Sequence, residues 1–295
     1  MITDVNTAQR SKWIDVLKGI AIFFVVLGHS PYLTYMSPKV FNVIFSFHMP
    51  LFLFIAGYLF NSDQPALGLV RKRFNSLLKP YLFTIILISI TYIVFKNGHS
   101  PLWYLFWIIY GNGPNLPKLG LHLWFLPHLF FVTLFIWSLF KLFKKLKFFT
   151  SLVMSTAIVF FVFGALSIDL FWNIKIPDSN LNSFINNIGL FLSNGVLDNP
   201  AYLKDTIIPN SQFILKGLPW SLDITLITSS FFITGYITKN YSPEAIFRKH
   251  YAALPILILF IIIHYKFNDT IDLNLRRYDN FFICTFLAIA GIYFC

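Results

Sequence analysis

Eight apolar stretches divide this chain, at residues 14–32, 40–60, 78–95, 121–143, 148–172, 222–237, 251–265 and 281–294. A helix in lipid needs about 20 mainly apolar residues, and fewer where its ends are buried in protein. The second, fourth and fifth stretches meet that length; the sixth and seventh are short, and the last runs to the end of the sequence. Composition agrees with a lipid solvent. Of 295 residues 57% are apolar and 12% charged, against about a quarter charged in a soluble domain. So much apolar surface cannot be hidden in one aqueous core. The 36 Phe and 7 Trp suit lipid-facing and interfacial positions. An all-α, polytopic bundle of about eight helices forming a single transmembrane domain over 1–295 is expected, and collagenous or disordered classes are excluded.

The remaining segments refine that outline. Residues 102–110 are apolar but too short to cross, and fit an interfacial or re-entrant helix. The long loop 173–221 is rich in Asn, Pro and Asp, and 181–197 within it suits an amphipathic surface helix. No internal repeat of the transporter kind is visible. Asp15 and Lys18 open the first stretch and no small-residue site follows it, so a cleavable signal peptide is not expected. Cys284 and Cys295 give neither a disulfide framework nor a metal spacing.

Basic residues set the expected orientation. Arg10, Lys12 and Lys18 precede or open the first stretch, and Arg71, Lys72, Arg73 and Lys79 follow the second. Lys141, Lys144, Lys145 and Lys147 follow the fourth, and Lys239, Arg248 and Lys249 the sixth. These are alternate loops, so all four groups and the N-terminus fall on the cytoplasmic side of a cytoplasmic (inner) membrane. The net charge of +11 then belongs to cytoplasmic loops and anionic lipid headgroups or phosphates rather than to a nucleic-acid partner. Arg276 and Arg277 break the pattern by falling outside. Either they have a function there or the last two spans are drawn wrongly.

Ionisable residues within spans are costly and face protein interior. Lys18 and His29 are eleven residues apart, close to three helical turns, so they share one face at roughly 16 Å along the axis. Asp15 can pair with Lys18 at i,i+3. His48, His122 and Asp223 sit at outer depths similar to that of His29 on three other spans, and would form one polar chamber if those helices are neighbours. Histidine is the natural base for activating a hydroxyl near neutral pH. Three histidines on three spans are weak grounds for a metal, and none is expected. The basic run Arg71, Lys72 and Arg73 fits either a positive-inside signal or phosphate binding.

The motifs resemble a known family. The stretch from Trp13-Ile14-Asp15-Val16-Leu17-Lys18 to Leu27-Gly28-His29-Ser30 is similar to the opening block of the acyltransferase-3 family, a basic residue ten intervening positions before a histidine. Phe47-His48-Met49-Pro50 through Ala56-Gly57-Tyr58 resembles its second block, and His122-Leu123-Trp124-Phe125-Leu126 a third. Pro219-Trp220-Ser221-Leu222-Asp223 with Phe231 to Tyr236 resembles a fourth, most like the fucose 4-O-acetylase branch. The resemblance covers nearly the whole chain and implies about ten spans, so the C-terminus at Cys295 is expected to be shortened or the span count low. It implies acetyl-CoA as acyl donor and O-acetylation of a cell-envelope glycan or lipid-linked sugar, in lipopolysaccharide, capsule or exopolysaccharide. It also implies His29 as catalytic residue with Lys18 and its neighbour Asp15, and Arg71, Lys72 and Arg73 on the CoA phosphates. His48, His122, Trp124 and Asp223 would orient His29 or hold the sugar. A transporter or flippase of a lipid-linked sugar, or an inactive scaffold of an envelope complex, would use the same chamber differently.

Overall fold

The computed structural model describes residues 12–30, 38–95, 101–146, 148–168, 170, 174–176, 213–215, 217–241 and 250–295. Helix dominates them. Every one of the eight apolar stretches carries a helix, and 102–110 lies in a further short one. The helices are α1 (Lys12–Gly28), α2 (Pro38–Tyr58), α3 (Ala66–Arg73), α4 (Lys79–Val94), α5 (Pro101–Tyr110), α6 (Phe125–Lys144), α7 (Phe149–Leu166), α8 (Thr225–Tyr241), α9 (His250–Lys266) and α10 (Phe281–Phe294). Four helical segments among the described residues are long and apolar enough to cross a membrane: Pro38–Tyr58, Ala66–Val94, Leu119–Lys144 and Phe149–Leu166. Ala253–Lys266 and Phe281–Phe294 are shorter and equally apolar in character. The suggested helix at 181–197 lies outside the described residues.

Two compact units make up the chain. The first comprises Met1–Phe60, Phe231–Asp272 and Tyr278–Cys295; the second comprises Asn61–Ser230 and Leu273–Arg277. In the first, Ile14, Leu17, Ala21 and Gly28 of α1 are buried at helical spacing, while Val16, Ile22, Phe23 and Val26 are exposed. A two-faced helix of this kind turns one stripe to protein and the other to its solvent, which here is apolar. The helix α2 packs on α10 and on the second half of α8. A side chain on Gly57 would strike the Phe232 carbonyl, and one on Gly235 would strike that of Phe54. The two glycines thus face each other's helix reciprocally, and bare Cα atoms let the two backbones touch. Close approach through small residues is how helices associate where lipid removes the hydrophobic incentive.

In the second unit, Val132, Ile136 and Phe140 of α6 form a fully buried stripe four residues apart. A π-type turn at Phe74–Leu78 joins α3 to α4, and the Tyr81 hydroxyl donates to the Ile108 carbonyl at 2.7 Å. At the far end of α6, Lys144 pairs with Asp63 and donates to Ser62 Oγ at 2.9 Å, while Trp137 Nε1 donates to the Gln64 carbonyl at 3.0 Å. The strands Ile174–Ile176 and Phe213–Leu215 pair antiparallel, with Ile174 opposite Leu215. Tight 3₁₀ turns at Lys118–Trp124 and Pro219–Ile224 lead into α6 and α8.

Candidate active site

The first unit holds Asp15, Lys18, His29 and His48. Lys18 Nζ lies 3.6 Å from an Asp15 carboxylate oxygen, the i,i+3 pair expected from the sequence. α1 ends at Gly28, but the His29 amide still bonds to the Val25 carbonyl at 3.1 Å. Helical register therefore reaches the histidine, and the eleven-residue spacing keeps it on the Lys18 side. His29 Nδ1 lies 2.9 Å from the same Val25 carbonyl. A carbonyl only accepts, so this nitrogen carries the proton, and in the neutral ring the lone pair falls on Nε2.

His48 repeats the arrangement on α2. It is buried, and its Nδ1 donates to the Ile44 carbonyl at 2.9 Å. The two imidazole centroids are 6.1 Å apart at 78°, and Phe45 touches both rings, at 5.6 Å from His29 and 4.6 Å from His48. Two of the four residues expected in one chamber are thus neighbours, each with the same tautomer fixed by its own helix.

The second unit holds the others. Arg71, Lys72 and Arg73 form the last turn of α3; the first two are exposed, and Arg73 Nε is buried with no hydrogen-bond partner among the described residues. His122 is exposed on the 3₁₀ turn before α6, and Trp124 two residues on is buried, its ring 5.7 Å from that of His128.

Asp223 forms the centre of a buried network. Its oxygens accept from Arg276 Nε at 2.7 Å and Nη2 at 2.9 Å, a bidentate pair with both side chains wholly shielded. Oδ1 also accepts from the Leu218 amide at 2.9 Å. Arg276 Nη1 donates to the Asn274 carbonyl at 2.7 Å and to Asn112 Oδ1 at 3.3 Å, and Asn112 Nδ2 donates to the Leu218 carbonyl at 2.9 Å. The arginine that the positive-inside count left unexplained is therefore the partner of the acid expected to open the sixth span. Nearby, the Tyr110 hydroxyl donates to the Gly217 carbonyl at 2.6 Å and Trp220 Nε1 to that of Ile109 at 2.8 Å.

Backbone conformation marks the same place. Trp220, Ser221 and Arg276, at φ of 53°, 56° and 55°, are the non-glycine residues with positive φ among those described. Each such residue costs on the order of 1 kcal/mol or more, and this strain gathers at binding and catalytic sites.

Sequence reasoning passed over His128. It is fully buried on α6, with Nδ1 donating to the Trp220 carbonyl at 3.0 Å and Nε2 at 2.9 Å from the Thr228 hydroxyl. Its position six residues after His122, already inside an apolar run, was the available signal. His264, near the end of α9, is buried and lies 3.3 Å from Ser46 Oγ. No group of three metal-ligating side chains occurs among the described residues.

Comparison with known proteins adds one finding to this geometry. The model of a family described as an acyltransferase domain matches residues 11–295. Neither the curated proteins nor the solved structures compared with the chain give a match.

Proposed function

The chain belongs to the acyltransferase family whose domain it matches over residues 11–295, and from that premise we propose that it is a membrane O-acetyltransferase. It moves acetyl from cytoplasmic acetyl-CoA to a hydroxyl of a cell-envelope glycan or lipid-linked sugar, in the manner of the fucose 4-O-acetylase branch. It does so in the cytoplasmic membrane with its N-terminus inside. The observation that carries this is the His29–Val25 hydrogen bond of 2.9 Å, which fixes the tautomer that a general base needs.

The chemistry follows from that tautomer. His29 Nε2 removes the proton of the acceptor hydroxyl as its oxygen attacks the thioester carbonyl. The carbon–sulfur bond breaks, the acetyl ester forms, and the proton passes from His29 to the departing CoA thiolate. His48, with Nδ1 tied in the same way, supports the His29 side of the reaction. Lys18, held by Asp15, is a cation on the donor's path. Arg71, Lys72 and Arg73 receive the CoA phosphates, for which guanidinium groups are suited in geometry and charge. Asp223, His122 and Trp124 serve the acceptor. No step requires a metal.

The test is vesicular. Inverted membrane vesicles with wild-type protein or the His29→Ala variant receive radiolabelled acetyl-CoA on the cytoplasmic face. Label should reach the glycan or lipid fraction only with His29 intact. Equal labelling by both proteins would remove His29 from the mechanism. No labelling by either, with both inserted and acceptor present, would favour the transporter or scaffold.

A further inference from the structure

The buried imidazole of His128 takes no part in the chemistry above, and both of its nitrogens are occupied by protein. Nδ1 donates to the Trp220 carbonyl at 3.0 Å, and Nε2 faces the Thr228 hydroxyl at 2.9 Å. Neither nitrogen is open to a substrate, so a general-base role is excluded. A histidine satisfied in this way would ordinarily count as core packing. What sets His128 apart is the group it holds.

The Trp220 carbonyl lies in a turn where two successive non-glycine residues have positive φ, Trp220 at 53° and Ser221 at 56°. Residues with a β-carbon resist that conformation, and it persists only where the surroundings over-determine it. Turning over the peptide between them would change ψ of Trp220 and φ of Ser221 together, a direct route to releasing the strain. That peptide is held at both ends. Its carbonyl accepts from His128, and its amide, the Ser221 N–H, donates to the Leu218 carbonyl at 3.0 Å. Leu218 is fixed in turn by Asp223 and Asn112, whereas the carbonyl end rests on His128. Hydroxyls of the turn and of the helix after it add nothing to this hold. Ser221 Oγ, Thr225 Oγ1 and Ser229 Oγ are buried without a hydrogen-bond partner among the described residues.

The same ring reaches a second element. Trp124 and His128 are four residues apart where α6 begins, a spacing that puts them on one face, and their rings lie 5.7 Å apart at 40°. His128 therefore touches both the turn Pro219–Ile224, which carries Asp223, and the tryptophan two residues beyond His122. Asp223, Trp124 and His122 are the residues assigned above to the acceptor.

We propose that His128 is a positioning residue. Its Nδ1–H holds the Trp220–Ser221 peptide in the strained form and its ring seats Trp124, so that the acceptor-side groups keep one arrangement. This deepens the acyltransferase reading and rests on it for the reaction, but the hold on the peptide does not. The requirement is for a hydrogen-bond donor at the Nδ1 position, not for a base.

Two substitutions separate donor from ring. His128→Asn puts an amide N–H near the place of the Nδ1–H, and His128→Phe keeps an aromatic ring against Trp124 with no donor. Each full-length protein, in lipid nanodiscs, receives radiolabelled acetyl-CoA and the glycan and lipid fraction used in the vesicle test, with each varied in turn. His128→Phe should raise the KM for that fraction roughly tenfold, the effect of one hydrogen bond lost from the arrangement, and leave the KM for acetyl-CoA unchanged. His128→Asn should stay within about threefold of wild type. A merely structural histidine would lower kcat through loss of folded protein, in step with the unfolding temperature, and move neither KM. That result would overturn the proposal, as would His128→Asn failing as badly as His128→Phe.

The peptide is read directly by fluorine NMR of protein carrying fluorotryptophan, with Trp220 assigned from Trp220→Phe. Its resonance should be single in wild type and His128→Asn, and doubled or broadened in His128→Phe, where the peptide is free to turn over. An undisturbed Trp220 resonance in His128→Phe would overturn the hold. Should the fraction take no label even with wild type, the acyltransferase reading falls, and the resonances alone decide whether His128 holds the turn.

Discussion

Asp223 and Arg276 lie fifty-three residues apart in sequence and meet as a fully shielded, two-point ion pair. Removing one partner of a buried pair strands the other charge, at a cost of about 3–5 kcal/mol. Asp223→Asn and Arg276→Leu should each lower stability by that order, measured by thermal unfolding in detergent. Arg276→Lys should recover little, because an ammonium group cannot reproduce the forked geometry. If Arg276→Lys matched wild type, the two-point contact would not matter.

His29→Ala should abolish acetyl-dependent thiol release while leaving the protein in the membrane. His48→Ala should retain a reduced rate, because its ring lies 6.1 Å from His29 and supports it without taking the proton. Rates from both variants in one nanodisc assay check the order. A greater loss in His48→Ala than in His29→Ala would exchange the two assignments.

Arg71 and Arg73 replaced together by Ala should raise the KM for acetyl-CoA about tenfold or more, with a smaller change in kcat, as expected when a phosphate contact made equally in ground and transition states is removed. Initial rates across acetyl-CoA concentrations separate the two effects. An unchanged KM would reduce the run to an orientation signal.

The reciprocal glycine contact predicts a packing penalty. Gly57→Ala and Gly235→Ala each push a methyl group into a backbone carbonyl, which cannot swing aside as a side chain can. Overpacking of this kind costs roughly 1–3 kcal/mol, visible as a lower unfolding temperature for each single variant.

Asp63 gives a dependence on pH. Hydrogen bonding from Lys144, with the lysine's charge, holds its carboxyl below the ordinary range. A depressed acid stabilises the fold above its unfolded-state value, about 3.9, and loses that contribution as pH falls through its lower folded value. Wild type should therefore exceed Asp63→Asn slightly in unfolding temperature near pH 7. The difference should vanish in acid and shrink in high salt.

Much of the architecture could be read from the chain because lipid imposes length and apolarity, and these are visible without knowledge of contacts. The Lys18–His29 spacing and the Asp15–Lys18 pair are likewise local, set by helical periodicity, whereas Arg71, Lys72 and Arg73, expected in a loop, end the helix α3. Arg276 was visible as an anomaly and Asp223 as a candidate, but their meeting was not. Nothing in either neighbourhood specifies a partner fifty-three residues away. His128 was hidden by company, since one more histidine at the start of an apolar run looks interfacial until burial is known. The hydroxyls of Ser221, Thr225 and Ser229 were harder still. Serine and threonine in helices usually bond to their own backbone, and only coordinates reveal the ones that do not.

The bare seam between Gly57 and Gly235 also works as a height gauge. Sliding α2 by a single residue along α8 would bring a side chain against a carbonyl, so the register has one setting. His48 stands nine positions before Gly57 on that continuous helix, roughly 13–14 Å along its axis. The depth of the histidine is thus indexed from the end of its own rod, where Gly57 meets Gly235's helix with no side chain on either.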